Sequence, residues 1–228
     1  MSVTVILTSH MKPFLRDALA SLDEQTRRDF SVILLDSGVW RGQTDEQSLA
    51  MAQVHRDTKR RFRWRFTDEP PRPPCPVGAV TNTAIRSGLV KGKYVCHFYD
   101  DDVYDPRFME RMAGYLDDHP DEMAVWCSQD RARIERDGGY RVFATIRAYD
   151  GLSPGQIDNR VDGGQVMYRR KVLDMLGDPW MTEDGALCMH SDGIFLERVA
   201  SVIGHPIGAI PDVLMTHRMT PLSTYSPT

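Results

Sequence analysis

The sequence predicts an α/β fold: a mostly parallel sheet flanked by helices, with a small antiparallel hairpin. Three observations predict it. Short continuous apolar runs at residues 3–7, 30–35 and 94–99 suit parallel strands covered on both faces. Residues at helical spacing follow the first of them, with Leu15, Ala18, Leu19 and Leu22 on one stripe. All three runs end in polar clusters, Thr8-Ser9-His10, Asp36-Ser37-Gly38 and Asp100-Asp101-Asp102. Ligands gather at such strand ends in open α/β sheets.

Each element can be justified in order. Pro13 sits where a first helical turn opens, and strand, helix, strand predicts a right-handed parallel crossover. A polar helix is expected over 44–58, and the alternating Arg-Phe-Arg-Trp-Arg-Phe at 61–66 reads as a further strand. Five of the fourteen prolines fall within 70–76, which predicts an irregular loop. A short helix is expected over 80–89. Pro106 opens the next, with Met109, Met112, Ala113 and Leu116 on one face and His119-Pro120 closing it. Residues 123–127 read as a strand, and 131–149, folded about Asp137-Gly138-Gly139, as the hairpin. Helices are expected over 169–176 and 192–203. From Pro211 onward the tail reads as a loop closing over a site.

Composition narrows the function. Lys and Arg total 28 against 32 Asp and Glu, a net charge of −4, which argues against a dedicated nucleic-acid binder. Cys75, Cys96, Cys127 and Cys188 are scattered and read as buried free thiols in a reducing compartment. The opening MSVTVILTSH reads as a strand rather than a leader, and no apolar run approaches the roughly 20 residues of a transmembrane helix. A cytoplasmic location is expected. The sequence is compatible with a homodimer through its C-terminal part.

Asp100, Asp101 and Asp102 form the most informative cluster. Three adjacent carboxylates repel one another and hold protons unless a cation neutralises them. Oxygen ligands suit Mg²⁺ or Mn²⁺. The alternative is an exposed loop of solvated aspartates, against which stand the strand before it and the helix after it. Side chains alternate along a strand, so Asp100 and Asp102 begin on one side and Asp101 on the other.

The order of these motifs resembles the inverting family 2 glycosyltransferases of the GT-A fold over nearly the whole chain. VTVILTSHMKPFLRDALASLDEQTRRDFSVILLDSG is similar to that family's first strand, helix and second strand. GAVTNTAIRSGLVKGKYVCHFYDDDVYDP is similar to the segment leading into its DxD-type metal motif, and DGGQVMYRRKVLDMLG to its donor- and acceptor-facing strand and following helix. HSDGIFLERVA is similar to the helix whose first aspartate is the family's general base.

The resemblance implies one GT-A catalytic domain over residues 1–228 with a Rossmann-like sheet, a nucleotide-binding half at 1–105, and an acceptor-binding half with a C-terminal loop at 106–228. It implies a nucleotide-diphosphate sugar donor held by Thr8, Ser9, His10, Asp36, Asn82, Asp100 and Asp101, with Thr8 and Asp36 at the nucleoside. Mn²⁺ or Mg²⁺ would sit on Asp101 or Asp102, with Asp100 nearer the ribose. Gly163, Gln165, Glu183 and Asp184 would face a small-molecule or oligosaccharide acceptor. Two departures stand out: Asp36-Ser37 replaces the family's aspartate pair, and Thr81-Asn82 replaces its frequent Arg-Asn. Arg63, Arg65 or Arg72 is the expected substitute for the missing diphosphate contact.

Inverting transfer to a hydroxyl or amine needs a base for the acceptor and a cation for the departing diphosphate. Asp192 is the expected base, because the helix it opens has an apolar face of Phe195, Leu196, Val199 and Val202 that would fix the carboxylate. A helix-cap role for Asp192 and the acidic pair Glu183-Asp184 are the alternatives. His217 is an expected extra metal ligand and Arg218 a phosphate clamp. The rival functions are a nucleotidyltransferase and a catalytically silent nucleotide-sugar-binding module. The first would need a Gly-rich loop that Thr8-Ser9-His10-Met11-Lys12 lacks. The pairing of a candidate base with a candidate metal site argues against the second.

Overall fold

β1 (Val3–Ser9) is buried along its whole length and lies between two parallel neighbours, β2 (Phe30–Asp36) and β3 (Tyr94–Tyr99). A computed structural model describes residues 2–9, 14–36, 75–135 and 139–219. Beyond β3 the sheet continues through β7 (Val166–Arg169), β5 (Ala124–Ile134), β8 (Gly208–Met219) and β4 (Asp102–Tyr104), and β6 (Tyr140–Ile146) pairs with β5. β7 is antiparallel to both β3 and β5, β8 is parallel to β5, and β4 and β6 are antiparallel to their partners. β1, β2, β3, β5 and β8 therefore run one way and β4, β6 and β7 the other, which is the mostly parallel sheet expected.

Two apolar layers cover this sheet because its strands alternate. Val3, Val5 and Leu7 of β1 and Tyr94, Cys96 and Phe98 of β3 pack on α1 (Leu15–Asp23) and α3 (Phe108–Asp118). Ile6 and Val95 face the other way, toward α2 (Pro76–Arg86), α4 (Lys171–Leu176) and α5 (Ser191–Ile203). Val80, Val172, Phe195, Leu196 and Val199 supply that second layer. The expected apolar faces of α1, α3 and α5 are thus the buried ones, except that Val202 is only partly buried. Cys75, Cys96 and Cys127 are buried free thiols, and burial pushes the Cys96 thiol up to about 12. Among the described residues no helix is long and apolar enough to cross a membrane.

Four local expectations are corrected. The stretch from Pro211 to Met219 is strand, not loop: β8 runs between β5 and β4. Pro211 lies where the β5–β8 register shifts, and its carbonyl accepts from Ser128 Oγ at 2.9 Å. A proline is tolerated at such an irregularity, so it did not end the strand. The strand expected at 123–127 continues without a break to Ile134 and forms the hairpin with β6. α2 starts at Pro76 rather than residue 80, with proline in the first turn where its missing N–H costs nothing. Asp102, expected at the end of the strand over 94–99, instead opens a separate strand, β4. The helix expected at 44–58, the strand at 61–66 with Arg63 and Arg65, His10, Lys12 and Arg72 lie outside the described residues.

The C-terminal end of α1 holds β4 in place. Gln25 is fully buried; its Nε2 donates to the carbonyls of Asp105 (2.8 Å) and Ser21 (3.0 Å), and its Oε1 accepts from Met109 N (3.0 Å). Ser21 Oγ accepts from Tyr104 N at 3.2 Å. Gln25→Leu would leave a buried amide and a buried carbonyl without partners, at roughly 1–3 kcal/mol each. The expected outcome is a loss of about 2–4 kcal/mol in urea denaturation, read as a lower midpoint at unchanged slope.

Candidate active site

The carboxyl ends of β1, β2 and β3 lie side by side. Ser9 is in register with Asp36, and Thr8 is in register with Tyr99. Asp100 follows at the turn, with its carboxylate accepting from Ser9 Oγ at 2.8 Å. Thr8 Oγ1 is 3.5 Å from Thr81 Oγ1 in the middle of α2. Thr8, Ser9, Asp36 and Asp100 are thus brought to one edge.

Burial rules out a solvated acidic loop. Asp100, Asp101 and Asp102 are 2 %, 8 % and 0 % exposed. Asp102 is in register with His217 across β4 and β8, and its Oδ1 is 2.8 Å from His217 Nδ1. Its Oδ2 is buried without a hydrogen-bond partner among the described residues. Ligand atoms of Asp101, Asp102 and His217 lie within 4.8 Å of one another. Two carboxylates, an imidazole and a buried oxygen lacking a proton donor form a donor set that fits a divalent cation. Burial pushes Asp102 up to about 7, against the pull of His217. Burial opposes the charge on His217, but the bond to Asp102 outweighs it and lifts the imidazole to about 9. Without a cation, we read the pair as retaining its proton near neutrality.

A pair of glycines separates this cluster from Asp192. Gly163 and Gly164 open a 3-10 turn, Gly163–Gln165, just before β7. Gly163 N donates to Asp192 Oδ2 at 3.1 Å. A Cβ on Gly163 would lie 2.6 Å from Tyr99 Oη and 3.2 Å from Asp192 Cβ, and one on Gly164 would lie 2.9 Å from Asp102 Oδ2. Consecutive Cα atoms are about 3.8 Å apart, so Asp192 and Asp102 each pack against one of two adjacent glycines. Asp192 lies within the first turn of α5, whose cap position is His190, and its Oδ1 accepts from Gly193 N at 2.9 Å. It is half-buried, and burial followed by the nearby Asp162 charge raises its pKa, against the amides of Gly163 and Gly193.

Other expected residues are tied into local hydrogen bonds. Asn82 is fully buried and ties α2 to the 181–183 segment: its Nδ2 donates to Met181 O and Glu183 Oε1, both at 2.8 Å, and its Oδ1 accepts from Met181 N. Glu183 also meets Arg86 at 3.3 Å. Asp184 accepts from Ala186 N and so starts the 3-10 helix Gly185–His190. Gln165 is buried, donating to Cys127 O at 2.7 Å and accepting from Asp162 N at 2.9 Å. Arg218, expected as a phosphate clamp, is instead locked inward on Asp17 Oδ2 (2.6 Å), Phe14 O (3.2 Å) and Asp101 O (3.2 Å).

Three site residues escaped the sequence reading. Tyr99 packs on Gly163. Asp162, immediately before the glycine pair, has a buried Oδ2 without a partner. Arg131 Nη2 lies 3.8 Å from the other Asp162 oxygen, in register with His217. The Asp-Gly-Gly string was the available signal for Asp162, whereas Tyr99 and Arg131 lay inside predicted strands.

Comparison with known proteins bears on family and fold. The model of the family described as Glycosyl transferase family 2 matches residues 4–177. Protein CgeD of Bacillus subtilis (strain 168) is 26% identical over 226 residues, covering 96% of this chain and 50% of CgeD. The chain thus spans about half the length of that relative. S. aureus TarS 1-349 in complex with UDP superimposes with a TM-score of 0.69 at 15% identity, covering 97% of this chain and 61% of that one. Mannosyltransferase PcManGT from Pyrobaculum calidifontis, in complex with GDP-Man and Mn2+, gives 0.63 at 20% identity, covering 96% and 57%. At these identities the structural likeness is one of fold.

The close approach at Gly164 yields a direct test. Gly164→Ala would drive a methyl group toward Asp102 Oδ2 and Met215 Cε, 2.9 and 2.6 Å from its position. Met215 can yield, whereas Asp102 is held by His217. Mn²⁺ affinity measured by titration calorimetry is expected to fall about 10-fold or more, the scale of losses from disturbed metal surroundings, with an unchanged circular-dichroism spectrum.

Proposed function

This chain belongs to glycosyl transferase family 2, and we propose that it transfers a sugar, with inversion and dependence on a divalent metal, from a nucleotide-diphosphate donor to a hydroxyl or amine acceptor. One observation carries the reading: Asp102, with its free buried oxygen, and Asp192 stand over the adjacent glycines 164 and 163. A sugar lying between them would have its leaving group toward one carboxylate and its attacked face toward the other. The UDP complex of TarS and the GDP-Man and Mn2+ complex of PcManGT support a nucleotide-sugar donor of this kind.

Thr8, Ser9, Asp36 and Asp100 form the nucleoside end of the proposed donor site. Asp101, Asp102 and His217 would hold Mn²⁺ or Mg²⁺, which when bound supplies positive charge against the diphosphate. Asp192 takes the proton from the acceptor nucleophile. The nucleophile's electron pair forms the new bond at the anomeric carbon, and the bond from that carbon to the diphosphate oxygen breaks, its electrons leaving with the nucleoside diphosphate. The raised proton affinity of Asp192 suits a base, since a carboxylate that binds a proton more tightly accepts one more readily. The acceptor is proposed to be a small molecule or oligosaccharide, met on the side of Gly163, Glu183 and Asp184.

Two measurements test this. In a thermal-shift panel of UDP, GDP, TDP and CMP with and without Mn²⁺, one nucleoside diphosphate at 100 times its dissociation constant is expected to stabilise the protein by roughly 2.7 kcal/mol, about 5–10 °C. Shifts that are absent throughout, or indifferent to Mn²⁺, would sink the metal-dependent donor site. Because the cation must displace protons from Asp102, near 7, and His217, near 9, Mn²⁺ should bind more tightly as pH rises through that window. Separately, Asp192→Asn is expected to lower transfer by about 10²–10⁴-fold with nucleotide binding intact. Undiminished turnover would move the base to Glu183 or Asp184.

A further inference from the structure

Among the tyrosines of β3, β4 and β7, Tyr99 differs in one respect. Tyr94 donates its hydroxyl to Asp117 (2.6 Å), Tyr104 to the carbonyls of His97 (2.8 Å) and Gly164 (3.0 Å), and Tyr168 bonds His97 Nε2 (2.9 Å). Buried phenols ordinarily find such partners. Among the described residues, the Tyr99 hydroxyl makes no hydrogen bond, although its ring is held against the backbone of Gly163, with Oη and Cε2 2.6 and 3.4 Å from where a Cβ would be. Tyr99 is only partly buried, so its ring is fixed while its donor stays within reach of a ligand.

Its position says what arrives. Strand alternation puts Tyr99 on the face of Val95 and His97, opposite Tyr94, Cys96 and Phe98. There it stands over Gly163 beside Asp192, one residue from the Gly164 floor beneath Asp102. Burial, with the charges of Asp192, Asp102 and Asp162, keeps the phenol protonated far above its ordinary range. It is therefore a neutral donor beside Asp192 that also feels the charges of Asp102 and Asp162. A diphosphate would be met at the metal cluster and a nucleoside at Ser9 and Asp100, whereas a neutral donor beside the proposed base matches a neutral polyol.

We propose that the Tyr99 hydroxyl is a recognition group for the transferred sugar, donating a hydrogen bond to one of its hydroxyls. This rests on the donor-site reading above. It also accounts for glycine at 163, where any side chain would displace the phenol.

Tyr99→Phe removes the hydroxyl alone and keeps the ring. With Mn²⁺ present, calorimetry would compare UDP with UDP-GlcNAc and UDP-glucose, and GDP with GDP-mannose, in wild type and variant. The expected result is nucleoside diphosphate affinity within about 2-fold of wild type and a loss of roughly 3- to 10-fold confined to the sugar nucleotide, the scale of one neutral hydrogen bond. Gly163→Ala, which would push the phenol aside, should give the same selective loss. Equal losses for nucleotide and sugar nucleotide, or none for either, would overturn the role of Tyr99 and leave the donor site standing. A wild-type protein that binds neither class would instead overturn the donor site, and this proposal with it.

Discussion

Asp102 has no exposed surface, and only one of its two oxygens has a hydrogen-bond partner among the described residues. A carboxylate taken out of water at such cost, several kcal/mol per ion, must be compensated from close by. His217 gives the compensation at 2.8 Å, and much of the architecture serves that contact. β8 has to lie between β5 and β4 to present His217 in register with Asp102. β4 has to be pinned at its far end, which Ser21 and Gln25 of the α1 end do through Tyr104, Asp105 and Met109. Burial on one side and an open oxygen on the other make Asp102 a better cation ligand than three solvated aspartates, whose charges water would screen.

The glycine pair then sets the spacing of the chemistry. With no side chain at 163 or 164, the backbone itself forms the floor, and the groups above it come from different elements: Tyr99 from β3, Asp102 from β4, Asp192 from α5. The Gly163 amide helps to aim Asp192, and Gln165 anchors the turn by reaching Cys127 O across the core. Glu197, one and a half turns further along α5, accepts from the amides of Gly155, Ile157 and Asp158, so the loop against Gly193 is fixed to the same helix. Catalytic geometry of this kind needs rigid support more than it needs many residues.

What was legible in the sequence divides along physical lines. The β1–α1–β2 unit, β3, α3, the hairpin and α5 were all readable, because each has an apolar period that its burial enforces. Asp102 and Asp192 stood out in the sequence because carboxylates beside apolar runs are costly to bury, and the structure does bury the first and half-bury the second. β4 was not, since three residues carry no period. The second half of β8 was hidden by Pro211, which reads as a breaker until the register shift opposite Ser128 is known. Asn82, Gln165 and Asp184 were drawn into the site by their polarity, but their amides and carboxylate serve local hydrogen bonds. Tyr99 looked like one more apolar strand residue, and only the unmatched hydroxyl, which no sequence pattern records, separates it from Tyr94 and Tyr168.

β8 joins the two problems of stability and site assembly in one strand. Neighbouring residues of a strand face opposite ways, and here His217 faces the acidic cluster while Arg218 turns back to Asp17, the Phe14 carbonyl and the Asp101 carbonyl. The guanidinium therefore links α1, the turn carrying Asp101, and the last described strand, and it is itself almost wholly buried. Arg218 N also donates to Asp101 O at 3.1 Å, so the backbone of one ligand is tied to the residue beside another. A charge so buried must keep its partners or the strand loses its seat. The residue that looked like a phosphate clamp thus acts on the site from behind: it holds Asp101 and His217 at a fixed separation. The acidic cluster at the carboxyl end of β3, formed early in the chain, meets His217 only after a strand from the far end of the chain has docked.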